Sequence, residues 1–155
     1  MDIEYKVVEK LIEKNYHITF AESCTAGLAA GRLVNVPDAS KVLDVSFITY
    51  ANEAKQKYVD VSSETIEAYG VVSEEVAGEM ASGAAAAMDA EVGVGISGIA
   101  GPTGGTDKKP VGMVCFGFYI AGRTFTYTKQ FGNIGRNEVR AASVAFCYEK
   151  LLELL

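Results

Sequence analysis

The fold is read first from His-Ile-Thr-Phe-Ala-Glu at 17–22 and the residues that follow it, Ser-Cys-Thr-Ala-Gly-Leu-Ala-Ala-Gly-Arg-Leu-Val at 23–34. The first six residues have strand character, while Thr25 to Val34 is rich in Ala, Gly and Leu and predicts a helix. A strand running straight into a helix is the repeating unit of α/β folds. Upstream, Ile3, Val7, Val8, Leu11 and Ile12 recur at helical spacing and predict an amphipathic helix over 2–15. Downstream, Pro37 and Asp38 mark a break, and Val42 to Tyr50 is apolar and β-branched, a predicted strand. Short helices are expected over 51–58 and 63–69. A longer one should start after Ser73, whose hydroxyl precedes Glu74 and Glu75 at the positive end of the helix dipole. Glu91 to Ile96 predicts a strand and 97–110 a long loop. Val111 to Ile120 and Arg123 to Phe131 predict a hairpin turning at Ala121-Gly122, and a helix over 135–155 closes the chain. Early alternation followed by a late hairpin predicts one domain over 1–155. Its expected class is α/β, a three-layer α/β/α sandwich with a mixed sheet.

Composition narrows the function. The 155 residues are 49% hydrophobic and 22% charged, which suits a packed core rather than disorder. No apolar run reaches the roughly 18–20 residues of a membrane span. The N-terminus, with its charges interleaved, lacks the apolar core of a signal peptide, so a cytoplasmic protein is expected. Net charge is −6 with no basic stripe, which argues against a nucleic-acid partner, since that binding depends on neutralising phosphates. Three widely spaced cysteines, Cys24, Cys115 and Cys147, do not form a disulfide framework. With His17 the single histidine, neither a structural zinc site nor a Ser-His-Asp triad is easily assembled, and His17 reads as a strand-edge residue.

Four segments carry possible chemistry. Ser23 and Thr25 sit between a strand and a helix, where α/β sheets place ligands and where helix N–H groups meet anions. A plain helix cap is the simpler reading of either hydroxyl. Cys24, with no histidine base at hand, is a poor nucleophile candidate. Tyr50 and Lys55 lie at the next strand-to-helix junction. Lys55 serves as a base only if its surroundings lower its pKa from about 10.4, and otherwise it is a solvated helix lysine. The loop holding Gly98, Gly101, Thr103, Gly104 and Gly105 is longer than an ordinary connection. Its glycines allow backbone amides to approach a phosphate or oxyanion, although it matches neither a Walker loop nor a dinucleotide fingerprint. Arg136 and Arg140, four residues apart, share a helix face near its N-terminus; Arg136 is placed to hold a phosphate, or else a surface carboxylate.

Taken together, Ala-Glu-Ser-Cys-Thr at 21–25, Tyr-Ala-Asn-Glu-Ala-Lys at 50–55, Tyr-Gly-Val-Val-Ser at 69–73, Gly-Ile-Ala-Gly-Pro-Thr-Gly-Gly-Thr at 98–106 and Lys-Pro-Val-Gly at 109–112 resemble the CinA C-terminal domain family, which includes nicotinamide mononucleotide deamidases. The resemblance covers nearly the whole chain. It implies an amidohydrolase with Ser23 as nucleophile, Lys55 as base and Tyr50 assisting or orienting the lysine. Thr25 and the 98–106 loop would line the site of a small nucleotide; Arg136 on its phosphate is a separate expectation, from its place at the helix start and not from the resemblance. Neither metal nor cofactor is implied, and a homodimer is a weaker expectation. Two departures stand out: Ala26 where a second glycine is common, and Asp44-Val45-Ser46 where paired glycines are frequent. Both bear on substrate preference. No counterpart is seen of the N-terminal domain that such proteins often carry. The competing expectations are a non-catalytic nucleotide-binding or partner-binding module connected with competence or DNA repair, and an amidohydrolase for a different amide.

Overall fold

Helix α1 (Ile3–Lys14) leads into strand β1 (Ile18–Glu22), and the computed structural model describes all of Met1–Leu155. A short helix α2 (Leu28–Leu33), a 3-10 turn (Pro37–Lys41), β2 (Leu43–Ile48) and helices α3 (Asn52–Val59), α4 (Ser63–Tyr69) and α5 (Glu74–Ala87) follow. The chain ends with β3 (Val92–Gly98), β4 (Met113–Ile120), β5 (Arg123–Gln130) and α6 (Arg136–Leu154). The five strands form one sheet in the order β2-β1-β3-β4-β5. β1 runs parallel to both β2 and β3, and β4 and β5 are added antiparallel. This is the expected α/β architecture with a mixed sheet and helices on both faces.

The two faces are packed differently because successive strand residues point to opposite sides. On one face Phe20, Val94, Ile96, Phe116 and Phe118 meet Val7, Leu11, Leu33, Val139, Tyr148 and Leu151 from α1, α2 and α6. The tail belongs to this core, with Leu151 buried and Leu152, Leu154 and Leu155 packed against it. On the other face Gly93, Gly95 and Gly117 lie under α5. A methyl group at Gly95 or Gly117 would overlap the Ala77 carbonyl oxygen, and one at Gly93 would overlap that of Ala81. Alanine and glycine on α5 complete the close approach. Ser73 caps that helix as expected, accepting from Val76 N–H at 3.2 Å.

The expected helix over 25–34 is corrected to a shorter one. Residues 23–27 turn first, with Ala26 and Gly27 at φ of 46° and 95°, outside the right-handed helical region. Buried Glu22 explains the delay. Its carboxylate accepts from the Thr25 hydroxyl at 2.7 Å, the Ala29 and Ala30 N–H groups at 2.9 and 3.1 Å, and the Ser46 hydroxyl at 3.2 Å. It thereby satisfies the free amides of α2 from below and holds the preceding turn in place. No helix is long and apolar enough to cross a membrane.

Candidate active site

The carboxyl ends of the three parallel strands β2, β1 and β3 lie side by side, and just beyond each a functional group emerges. Ser23 follows β1, Thr49 and Tyr50 follow β2, and Ser97 and Gly98 end β3. The ladder extends one residue past β1, since Ser23 N–H donates to Ile96 O and Thr49 N–H to Glu22 O, each at 3.0 Å. Strand alternation then puts the side chains of Thr49, Ser23 and Ser97 in a row on the α5 face. Gly95, two residues before Ser97 on the same face, lies already under α5.

Lys55, in the second turn of α3, reaches this row. It is 1% exposed, and its Nζ lies 2.8 Å from Thr49 O, 3.1 Å from Tyr50 O and 3.2 Å from Ser23 Oγ. Two of these partners are carbonyl oxygens, which only accept. A neutral amine has two hydrogens and one lone pair; the hydrogens go to the carbonyls and the lone pair is left for the Ser23 hydroxyl. Burial pushes the Lys55 pKa below its ordinary value, while the negative form of the neighbouring Cys24 would act in the opposite sense. No acid is paired with this amine. The geometry therefore resembles a nucleophile held by its base.

The Cys24 thiol beside it is driven the other way. Burial raises its pKa to about 11, so the thiolate that a cysteine nucleophile requires is disfavoured. The Cys24 carbonyl accepts from Arg140 Nε at 2.8 Å, which pins the turn from the α6 side. His17 lies at the opposite end of β1, six residues from Ser23 or about 20 Å of extended chain. Its Nδ1 is 2.7 Å from Asp44 Oδ1, so it takes no part in a triad.

Above Ser23 and Lys55 opens a cavity of about 470 Å³. Tyr50, Asn52 and Lys55 form one wall, residues 70–72 another, and Gly98, Gly101, Thr103 and Gly104 of the glycine loop a third, with Lys109 and Arg136 also lining it. The base of the loop is closed by Ile99 N–H to Met113 O at 2.9 Å and Gly112 N–H to Ile99 O at 2.7 Å. The N–H groups of Ala100 and Gly101 are buried at the cavity and donate to no protein acceptor. Buried amides in that condition are suited to an oxyanion or another acceptor from a ligand.

Most of the residues expected from the sequence come together here, some of them differently placed. Ser23, Lys55, Tyr50, Gly98, Gly101, Thr103, Gly104 and Arg136 all line the cavity. Thr25 and Gly105 do not. Thr25 is fully buried with its hydroxyl committed to Glu22, and Gly105 packs against Pro110 and Val111. Tyr50 supports Lys55 through its backbone carbonyl, whereas its exposed phenol accepts from Arg136 Nη2 at 3.1 Å. Arg136 Nη1 also donates to Gly101 O at 2.7 Å, so Arg136 bridges the β2–α3 junction and the glycine loop. Sequence reasoning passed over Ser97 and Lys109. Ser97 is 2% exposed and donates to Val71 O at 2.8 Å; Lys109 Nζ donates to Tyr69 O. The available signal for Ser97 was its place at the end of a strand, directly before the glycine loop. No group of three His, Cys, Asp or Glu side chains is arranged to hold a metal ion.

The family model for the CinA C-terminal domain matches residues 1–155. This chain belongs to the CinA C-terminal domain family. A putative competence-damage inducible protein of Alkaliphilus metalliredigens is 54% identical over 121 residues, covering 78% of this chain and 29% of that protein. A CinA-like protein of Kosmotoga olearia is 46% identical over 147 residues, covering 95% and 35%. The chain thus spans about a third of the length of these curated relatives. Among solved structures, the competence/damage inducible protein CihA of Agrobacterium tumefaciens superposes with a TM-score of 0.93 at 37% identity, over 99% of this chain and 96% of that one. A CinA superfamily protein of Escherichia coli also gives 0.93, at 38% identity over 99% and 91%. The CinA C-terminal fold is therefore shared across the whole chain.

Proposed function

We propose that this CinA-family domain is a serine amidohydrolase that converts nicotinamide mononucleotide to nicotinic acid mononucleotide and ammonia. The observation that carries the reading is the Lys55 amine, buried without an acidic partner, donating to two carbonyls and 3.2 Å from Ser23 Oγ. In the reaction, neutral Lys55 takes the Ser23 hydroxyl proton as Oγ attacks the carboxamide carbon. The carbonyl oxygen becomes an oxyanion, for which the free Ala100 and Gly101 amides are the donors at hand. Protonated Lys55 then gives its proton to the departing nitrogen, the C–N bond breaks and ammonia leaves. Water, deprotonated by the same amine, hydrolyses the acyl-serine and restores the hydroxyl. The Tyr50 ring offers a face to the cationic pyridinium, and Arg136 can exchange the Tyr50 hydroxyl for a phosphate oxygen.

The test is ammonia release from nicotinamide mononucleotide by the purified protein, with Ser23→Ala alongside and no metal added. Release by the unmodified protein alone is expected. Equal release by both proteins would remove Ser23 as nucleophile. Binding of the nucleotide without release by either would favour a sensor or an enzyme for another amide.

A further inference from the structure

Ser97 stands beside Ser23 in the hydroxyl row, on the side away from β2, and it has no part in the steps above. Its Oγ lies 2.8 Å from Val71 O. A carbonyl oxygen cannot donate, so this contact uses the one hydroxyl proton that serine has. Ser97 also lines the cavity and is 2% exposed. What it can offer a ligand is therefore lone pairs alone, from an oxygen whose orientation is fixed by the 70–72 segment.

We propose that Ser97 is the residue that recognises the amide nitrogen and so makes the site selective for a primary carboxamide over the corresponding carboxylate or ester. This inference rests on the amidohydrolase reading of Ser23 and Lys55. A carboxamide carbon seated on Ser23 Oγ holds its nitrogen between Lys55 and Ser97. An N–H points to Ser97, and once the carbon is tetrahedral the nitrogen lone pair is free to take the proton from Lys55. A carboxylate in the same place sets a negative oxygen against the Ser97 lone pairs, and an ester oxygen sets another acceptor there. Acceptor facing acceptor is repulsive, and a donor without an acceptor in a buried site is costly. The same arrangement weakens the hold on the acid once it is formed.

The experiment compares the unmodified protein, Ser97→Ala and Ser97→Thr on nicotinamide mononucleotide and on the methyl ester of nicotinic acid mononucleotide. Inhibition by nicotinic acid mononucleotide is measured in parallel. Ser97→Ala is expected to lower kcat/KM for the amide by about 10- to 100-fold, the loss of one buried hydrogen-bond acceptor. Its ester hydrolysis should rise, by up to about tenfold, as the facing lone pairs are removed, and its inhibition by the acid should strengthen. Ser97→Thr, which keeps the hydroxyl, should restore the preference for amide. Equal loss on amide and ester in Ser97→Ala, with unchanged inhibition by the acid, would show that Ser97 merely braces residues 70–72 and would overturn the inference. If the unmodified protein hydrolyses neither compound, the reading of the site as a nicotinamide mononucleotide amidohydrolase falls and takes this one with it.

Discussion

The two ends of strand β1 carry two very different basic environments. At the amino end, the His17 side chain is 46% exposed and meets Asp44, whose side chain is 18% exposed. Just past the carboxyl end, Ser23 meets Lys55, which is 1% exposed and has no carboxylate partner. Histidine is the residue whose chemistry is usually tuned to neutral pH, and lysine ordinarily stays charged. Here the difference in burial reverses their usefulness. The lysine is desolvated and held by two carbonyls next to a hydroxyl, while the histidine faces solvent with no nucleophile in reach. The side chain's surroundings, more than its type, set which end of the strand can do chemistry.

The sharpest way to break this contrast is Ser23→Ala. Turnover of nicotinamide mononucleotide should fall by at least about 10³-fold while calorimetric binding of the nucleotide is retained. Surviving turnover would move the nucleophile elsewhere. Lys55→Met should follow closely, losing about 10²- to 10⁴-fold. In the proposed mechanism the neutral amine is the active form, so kcat/KM of the unmodified protein should rise with pH through the Lys55 ionisation and level off below the ordinary lysine value of 10.5. The same shift has a signature in stability. The folded pKa lies below the unfolded one, so between the two the unfolded chain binds more protons and stability climbs with pH. The buried Cys24, Cys115 and Cys147 thiols, raised above their ordinary values, act in the opposite sense in both proteins. The Lys55 contribution is therefore read from the difference. The denaturant midpoint of the unmodified protein should gain on that of Lys55→Met as pH rises over that window, and a difference that does not change with pH would show that Lys55 is not desolvated.

A smaller effect is expected of Arg136→Met: about a tenfold higher KM for the mononucleotide, with kcat within about threefold. An unmoved KM would place the phosphate elsewhere along the rim. The smallest effect sharpens the comparison from its quiet end. His17→Ala should leave kcat/KM within about twofold, as expected for an exposed side chain far from the site. A large loss there would mean that the two ends of β1 are coupled.

Much of this was legible in the sequence. Strand and helix periods gave the order of elements; the strand-to-helix junctions at 22–25 and 50–55 marked Ser23 and Lys55 only as candidates, and the family resemblance implied their roles. The details that escaped depend on contacts between distant residues. Nothing local in Thr25-Ala26-Gly27 says that the Glu22 carboxylate will claim the Thr25 hydroxyl and delay the helix to Leu28. The role of Tyr50 was expected of its side chain, yet it is the backbone carbonyl that touches Lys55, a choice made by how β2 turns into α3. The burial of Lys55 itself is a tertiary fact, produced when α3 packs against α5 beside the carboxyl ends of the strands. Lys109 joins the site only because residues 70–72 and the glycine loop line the same cavity.

The glycine bed beneath α5 also bears on how the pocket can be changed. With Gly93, Gly95 and Gly117 already in contact with backbone, that layer has no room for a larger side chain, and no side chain there can be trimmed to make more space. An effort to reshape the site for a bulkier ligand will therefore find its freedom in the rim, at 70–72 and along the glycine loop. The packed bed beside the cavity stays fixed while the walls around the cavity can be moved.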